Sequence, residues 1–249
     1  LQPAVVAAAT SRRNWLEAAV AAAAPQARRL ALGTSADDEF FATRLRVALG
    51  LDAAHVFAEQ VPVPDGEADW RASFLLADAL LGRAVERTPP TLALGDDARA
   101  SGADVLARHG LQPGRYVVCA AAGFANVRLK TWPAERFAAT LRETHARHGL
   151  HALVVGHESE RAHLESLAGP TAGADGAPAL WLGQEGSLPQ LAALIAQSAL
   201  YLGNDTGAMH LAAALDVPVV AVFGGGTWPR FVAAARRGAA VVQPLPCFG

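Results

Sequence analysis

The sequence predicts an α/β fold built on a parallel sheet, and three features of the chain support that prediction. From Arg115 onward, short apolar segments alternate with segments of helical periodicity, as in sheets whose strands are joined by right-handed helical crossovers. The short segments are almost continuously apolar, which is typical of strands covered by helices on both faces. With 249 residues, 52% of them hydrophobic, the chain is long enough to bury a large core.

The predicted elements are less regular in the first half than in the second. In the first half we expect a strand (4–8), a helix (about 12–24), a short strand (near 29–32), a helix (about 37–48), a proline-bearing loop (61–66) and two helices (about 67–83 and 97–109). In the second half we expect strands (115–121, 151–155, 179–182, 199–202, 217–223) and helices (133–148, 158–168, 187–197, 207–215). The stretch between Pro89-Pro90 and Pro113-Gly114 favours a passage between two domains.

Polar and small residues follow the predicted strand 199–202 at the point where the next helix begins. Asp205 and Thr206 fall near the N-cap of that helix, where a side-chain oxygen can accept a hydrogen bond from a backbone N–H. The remaining N–H groups and the positive end of the helix dipole would face a phosphate, which Gly207 lets approach closely and His210 can contact. An ordinary capped helix with an incidental histidine is the alternative interpretation.

A second strand-to-helix corner places a lysine at an equivalent position. The apolar strand Tyr116–Ala120 leads into a loop that ends at Lys130, and Pro133 suits the first position of the following helix, with Thr131 or Trp132 at its entry. Open α/β sheets bind ligands at the carboxyl ends of their strands, and a lysine there supplies a mobile positive charge for a diphosphate. A solvated surface lysine is the alternative, although nearly all basic residues of the chain are arginine.

Four ordered motifs resemble glycosyltransferase family 9, which contains the ADP-heptose:lipopolysaccharide heptosyltransferases. They run from about Tyr116 to Arg230 in the family's order: Lys130-x-Trp132-Pro133, Val154–Glu160, Asn204–His210 and Val219–Gly224. The resemblance implies the GT-B architecture, in which two Rossmann-like α/β domains face each other across a cleft. It also implies that a C-terminal domain (113–249) holds the nucleotide sugar, that an N-terminal domain (1–112) holds the acceptor, and that neither a metal nor a cofactor is required.

The resemblance assigns donor-binding roles to particular residues. Lys130 would contact the nucleotide diphosphate or the donor sugar, and His210 would contact the diphosphate. Asp205, Thr206 and Gly207 would take the sugar hydroxyls and the phosphates. The donor side of the site is therefore expected in the half of the chain that follows Tyr116.

An acidic residue extends the predicted donor site. Glu158 follows the predicted strand 151–155, where such folds often place an acidic residue on ribose hydroxyls. Glu160 is the competing choice, and for both residues an ordinary acid in the first turn of a helix is the alternative. Ala121 and Ala122 depart from the family pattern, which commonly has a proline or a hydroxyl residue in this loop. The identity of the donor sugar therefore stays open.

The resemblance assigns the catalytic base to no residue of this sequence. A GT-B N-terminal domain should open with a strand, a glycine-rich turn and a helix, and in this family an acidic residue near that turn is thought to activate the acceptor hydroxyl. We expect the base to lie N-terminal to Leu1, in a chain truncated at both ends with an incomplete N-terminal domain. On that expectation this chain alone binds nucleotide and transfers sugar poorly.

Composition narrows the class of protein and its surroundings. The net charge of −2, with no basic run interleaved with aromatic residues, argues against nucleic acid as a partner. Cys119 and Cys247 offer neither a disulfide framework nor a metal-ligand spacing, and the acidic pairs Asp37-Asp38 and Asp96-Asp97 are read as ordinary helix-start acids. No segment is long and apolar enough to span a bilayer. We therefore expect a cytoplasmic protein, with peripheral association at the inner face of the inner membrane as a further option.

These observations lead to one main functional hypothesis. The protein would transfer a sugar, most simply a heptose from ADP-heptose, to a lipopolysaccharide-core or related glycan acceptor, with inversion and without a metal. A non-catalytic nucleotide-sugar-binding or interaction protein is the alternative from a different class. A dinucleotide oxidoreductase is a weaker third choice, because Gly224-Gly225-Gly226 is not the Gly-x-Gly-x-x-Gly pattern of such enzymes.

Overall fold

The computed structural model describes residues 3–9, 15–33, 43, 46–47, 50, 56–122, 131–168, 177–183, 187–224 and 227–242. The chain forms two compact units. The first comprises Leu1–Thr88 with Pro229–Phe231, and the second comprises Pro89–Trp228 with Val232–Gly249. Each unit contains a parallel sheet covered by helices, which confirms the predicted α/β fold class.

Among its described residues, the first unit contains a small three-stranded parallel sheet with helical segments on both faces. Its described elements are β1 (Val5–Ala8), α1 (Trp15–Ala22), β2 (Arg28–Leu32), β3 (Glu59–Val61) and α2 (Asp69–Leu81), and the strand order is β1-β2-β3. Alternate residues of β2 lie on opposite faces of the sheet. Leu30 and Leu32 pack against Ala72 of α2, whereas Ala31 packs in a cluster with Ala18 of α1.

The segment Pro229–Phe231 is held in the first unit by paired contacts at the start of α2. The Nε atom of Arg230 lies 3.2 Å and 3.1 Å from the two carboxylate oxygens of Asp69. The backbone N–H of Asp69 donates to the carbonyl oxygen of Arg230 over 2.9 Å. These bonds explain why a segment that lies in the chain between two strands of the second unit's sheet (Val219–Phe223 and Gly238–Val242) packs with the first unit.

The second unit is a six-stranded parallel sheet whose strand order places its first strand in the middle. Its elements in chain order are α3 (Asp96–Arg108), β4 (Tyr116–Ala120), α4 (Ala134–His148), β5 (His151–His157), α5 (Arg161–Ala168), β6 (Ala179–Gly183), α6 (Leu188–Ala196), β7 (Leu200–Asn204), α7 (Gly207–Ala214), β8 (Val219–Phe223) and β9 (Gly238–Val242). The strand order is β6-β5-β4-β7-β8-β9, and every described pairing is parallel. This is the order of a doubly wound, Rossmann-like sheet.

The two faces of this sheet are covered by different helices. Val117 and Cys119 of β4 lie in the core cluster that includes Phe137 of α4 and Leu164 of α5. Val118, on the opposite face of the same strand, lies in the cluster formed with α3, α6 and α7. Strands buried on both faces account for the continuous apolar runs in the sequence.

Most of the predicted elements are present within a few residues, and two strands were not predicted. β3 has three residues, too few to show an alternating pattern, and β9 opens on Gly238 and two alanines, which have low strand propensity. The predicted helix over 37–48 lies mostly outside the described residues. The two units divide the chain after Thr88. The expected acceptor-binding domain (1–112) and donor-binding domain (113–249) stay a prediction.

Candidate functional site

The topological switch point of the second sheet lies between β4 and β7, and the space at the carboxyl ends of these two strands is called the crevice below. The two strands are neighbours, with Ala120 opposite Gly203. The chain leaves β4 for a helix on one face of the sheet and leaves β7 for a helix on the other face. Such a switch point is where open α/β sheets bind ligands. The fold thus brings together the two strand-to-helix corners that the sequence singled out.

The N-terminus of α7 opens at this crevice. Thr206 is the N-cap residue, with φ −141° and ψ 168°, and its side chain caps no N–H group among the described residues. Its hydroxyl oxygen instead lies 3.2 Å from the hydroxyl of Tyr201. The predicted N-cap position is right, but the predicted capping hydrogen bond is not made by Thr206. The N–H of Met209 donates to the Thr206 carbonyl oxygen over 3.1 Å. The N–H groups of Gly207 and Ala208, at the first two positions of α7, have no acceptor within the helix and are therefore suited to an anion.

Gly203 makes the contact between Tyr201 and Thr206 geometrically possible. The ring of Tyr201 lies along the strand above Gly203, where an added Cβ would come within 2.6 Å of the Tyr201 hydroxyl and 2.7 Å of the Ala120 carbonyl oxygen. Burial raises the pKa of Tyr201, so its phenol stays neutral and can share a hydrogen bond with Thr206. Only glycine fits at this point of the strand without displacing Tyr201 or β4.

Gly207 differs from Gly203 in its surroundings. A Cβ added at Gly207 would meet no atom of the described residues within 4 Å. Packing among those residues therefore gives no reason for glycine at the first position of α7. An approaching ligand would give one, because a phosphate bound to the first N–H groups of a helix needs the space that a side chain would fill.

His210 and Asp205 flank the start of α7 with opposite effects on charge. His210 is the fourth residue of the helix, and although the residue reaches the surface, its ring is partly desolvated by the surrounding protein. Desolvation lowers the pKa of its imidazole, and the nearby Asp205 carboxylate partly opposes that change. The neutral form of His210 is therefore favoured at neutral pH, and a bound anion would favour its protonation.

Asn204, the last residue of β7, connects three elements at the crevice, and the sequence interpretation did not count it among the site residues. Its side chain is 1% exposed. The Nδ2 atom donates to the carbonyl oxygen of Ala121 over 2.7 Å, and the Oδ1 atom accepts from the backbone N–H of Trp132 over 3.1 Å. A polar residue at the last position of an apolar strand is the signal that could have marked it.

The two glutamates at the end of β5 make local contacts. The guanidinium of Arg161 donates to both carboxylate oxygens of Glu158, over 2.6 Å and 2.8 Å, and this pairing lowers the pKa of Glu158. Glu160 accepts from the backbone N–H of His157 over 3.0 Å, in a capping box at a short 3-10 turn, Glu158–Glu160. Glu160 thus has the structural role, and ribose binding by Glu158 stays a prediction.

The β4–α4 connection is described only at its two ends. Lys130 lies outside the described residues, as do 123–129. Pro133 is the N-cap of α4, one position before the predicted one, and its carbonyl oxygen accepts from Arg136 and Phe137. Trp132 packs edge-on against Phe137, with ring centroids 4.9 Å apart.

Two further properties concern metals and membranes. Within the described ranges, no group of three or more His, Cys, Asp or Glu side chains is arranged to hold a metal ion. Burial raises the pKa of Cys119 to about 12, which leaves this thiol protonated inside β4. Among the helices that the structure describes, none combines the length and the apolar character needed to cross a membrane.

Comparison with known proteins identifies the family. Residues 53–248 match glycosyltransferase family 9 (heptosyltransferase), so the chain belongs to that family. No curated protein matches the sequence.

Solved structures share the fold at low sequence identity. The glycosyl transferase family 9 protein from Veillonella parvula DSM 2008 has 20% identity and a TM-score of 0.59, covering 75% of this chain and 53% of its own length. E. coli ADP-heptose lps heptosyltransferase II has 18% identity and a TM-score of 0.55, covering 91% of this chain and 71% of its own. E. coli heptosyltransferase WaaC with ADP has 18% identity and a TM-score of 0.60, covering 98% and 68%.

These similarities confirm the predicted GT-B-type α/β fold. This chain spans 53% to 71% of the length of the three proteins.

Proposed function

We propose that the protein is a glycosyltransferase that takes heptose from ADP-heptose and passes it to a lipopolysaccharide-core or related glycan acceptor. The observation that carries this proposal is the crevice between β4 and β7, where the start of α7 presents N–H groups that the Thr206 side chain leaves uncapped. Family membership and the similarity to WaaC, solved with ADP and with ADP-2-deoxy-2-fluoro heptose, support the choice of donor.

The donor diphosphate would bind at the start of α7. The positive end of the helix, the N–H groups beside Thr206 and Gly207, and the His210 imidazole favour negative charge there. Lys130, the only lysine of the sequence, would add a second positive charge from the β4–α4 connection.

Two acidic residues would hold hydroxyl groups of the donor. Asp205 precedes the N-cap of α7, where its carboxylate can accept from hydroxyls of the sugar. Glu158 follows β5, the strand next to β4 at the same sheet edge, and would accept from the ribose hydroxyls. Binding there would require ribose to share or replace the guanidinium of Arg161.

The proposed reaction is a direct displacement, in which an acceptor hydroxyl oxygen bonds to the anomeric carbon with inversion while ADP leaves and the hydroxyl proton passes to a general base. As the bond to the diphosphate breaks, negative charge grows on the leaving oxygen, and the start of α7, His210 and Lys130 would stabilise it without a metal ion. We assign the general base to no residue of this chain. The acceptor would bind mainly to the first unit, and the reaction would take place in the cytoplasm at the inner face of the inner membrane.

The experiment that tests the proposal is calorimetric titration with ADP, UDP, GDP and ADP-heptose. We expect the adenine forms to bind in preference to the others, and Lys130→Ala to weaken ADP binding by about ten- to a hundredfold, the worth of one charge-assisted hydrogen bond. The control is Arg147→Ala, which removes one positive charge from the far end of α4. Absence of binding to all four ligands would indicate an interaction protein instead.

A further inference from the structure

Asn204 is unusual among the residues that the structure describes. Apart from tyrosine, tryptophan and cysteine, it is the one buried residue with a polar side chain in that part of the chain. Both ends of its carboxamide are used, and the partners fix its orientation, because the Ala121 carbonyl needs a donor and the Trp132 N–H needs an acceptor. A buried amide paired in this way is costly to replace by a side chain that satisfies only one partner.

The two partners of Asn204 are the two stems of one connection. Ala121 directly follows β4, Trp132 lies two residues before α4, and residues 122–131 run between them. The Asn204 side chain therefore ties both stems to the end of β7, directly before Asp205. The two hydrogen bonds fix the point at which the connection leaves β4 and the point at which it enters α4.

We infer that Asn204 is a positioning residue for the nucleoside diphosphate of the donor: it holds the two stems of the β4–α4 connection, Ala121 and Trp132, at the end of β7, next to the start of α7. This inference rests on the proposed function and adds to it a residue that touches no ligand. It also explains the residue type, because aspartate would offer a carboxylate oxygen to the Ala121 carbonyl and would bury a negative charge there. Alanine would satisfy neither stem.

The first test needs no ligand. Arg128 and Lys130 are tryptic sites within residues 122–131, so a change in their rate of cleavage in the folded protein reports a change in how firmly the two stems are held. We expect cleavage there to become roughly tenfold faster in Asn204→Ala and in the near-isosteric Asn204→Asp, each of which loses the bond to Ala121. Cleavage at the wild-type rate in both variants would overturn the inference.

The control is an amide of similar design at another edge of the sheet. Gln190 donates to the Ser101 hydroxyl over 2.6 Å and accepts from the Trp181 indole N–H over 3.2 Å. Gln190→Ala therefore removes a bridging amide from the same unit without touching the β4–α4 stems. We expect it to leave cleavage at Arg128 and Lys130 unchanged. Equal acceleration in this variant would mean that global loosening, and not the stems, sets the rate.

The second test separates positioning from general destabilisation by a double-mutant cycle. We expect Asn204→Ala to weaken ADP binding roughly tenfold in the wild-type background and less than twofold in the Lys130→Ala background, because the stems act through the residue they carry. Equal losses in both backgrounds would overturn the inference. Failure of the wild-type protein to bind ADP would instead contradict the proposed function, and the cleavage test would still decide the role of Asn204.

Discussion

Gly207→Ala separates what the folded protein needs at the start of α7 from what a ligand needs. Gly207 is the first residue of the helix, and a Cβ there would meet no described atom within 4 Å. At a compatible site, glycine to alanine stabilises a protein by roughly 0.4–1 kcal/mol, mainly by restricting the unfolded chain. For a protein of this size that corresponds to a rise in melting temperature of about 1–4 °C.

The same substitution should weaken binding of the donor. The new methyl group would occupy space needed by a phosphate on the first N–H groups of α7, and loss of one hydrogen bond to a charged group is worth roughly 1.5–3 kcal/mol. We therefore expect ADP affinity to fall by about ten- to a hundredfold while the melting temperature rises. Calorimetry and thermal melts on one preparation measure both quantities.

The control for Gly207→Ala is Gly95→Ala. Gly95 is the N-cap of α3 and also has no described atom within 4 Å of an added Cβ. That variant should leave ADP affinity unchanged. If Gly207→Ala binds ADP as tightly as the wild-type protein does, phosphate does not approach the start of α7, and the reasoning is refuted.

Three further outcomes are expected. Gly203→Ala should lower the melting temperature by roughly 2–12 °C, because overpacking against Tyr201 and the Ala120 carbonyl costs about 1–3 kcal/mol; an unchanged melt would contradict the close packing. Affinity for ADP-heptose should rise up to about tenfold as the pH falls from about 8 to 6, because protonation of His210, whose pKa lies below its ordinary value in the free protein, favours the diphosphate. The rise should be absent in His210→Gln, and a variant that keeps it would assign the titration elsewhere. Asp205→Ala should lower both the melting temperature and the nucleotide-sugar affinity, whereas a lower melting temperature with unchanged affinity would leave Asp205 a structural role only.

Much of the second unit could be predicted from the sequence because its signals are local. Strands covered on both faces are continuously apolar, and the residues that open α7 follow β7 directly. The neighbours of a strand are not encoded locally, so the sequence alone did not place β7 beside β4. β9 was missed because its small residues lack strand character, although they pack along β8.

The site shows the same division between local and distant information. The N-cap at Thr206 follows from local sequence, but the partner of its hydroxyl depends on Tyr201 lying above Gly203. Asn204 escaped notice because Trp132 and Ala121 are 72 and 83 residues away in the chain. Glu158 and Glu160 differ only in which nearby group they reach, and spacing could not separate an ion pair from a capping box.

The central claim is that the start of α7 binds the diphosphate of a nucleotide sugar. A crystal structure of the protein with ADP tests it most directly. The account predicts diphosphate oxygens within hydrogen-bonding distance of the Gly207 N–H and the His210 imidazole, at the carboxyl ends of β4 and β7. ADP bound elsewhere on the protein, with the start of α7 unoccupied by the diphosphate, would contradict it.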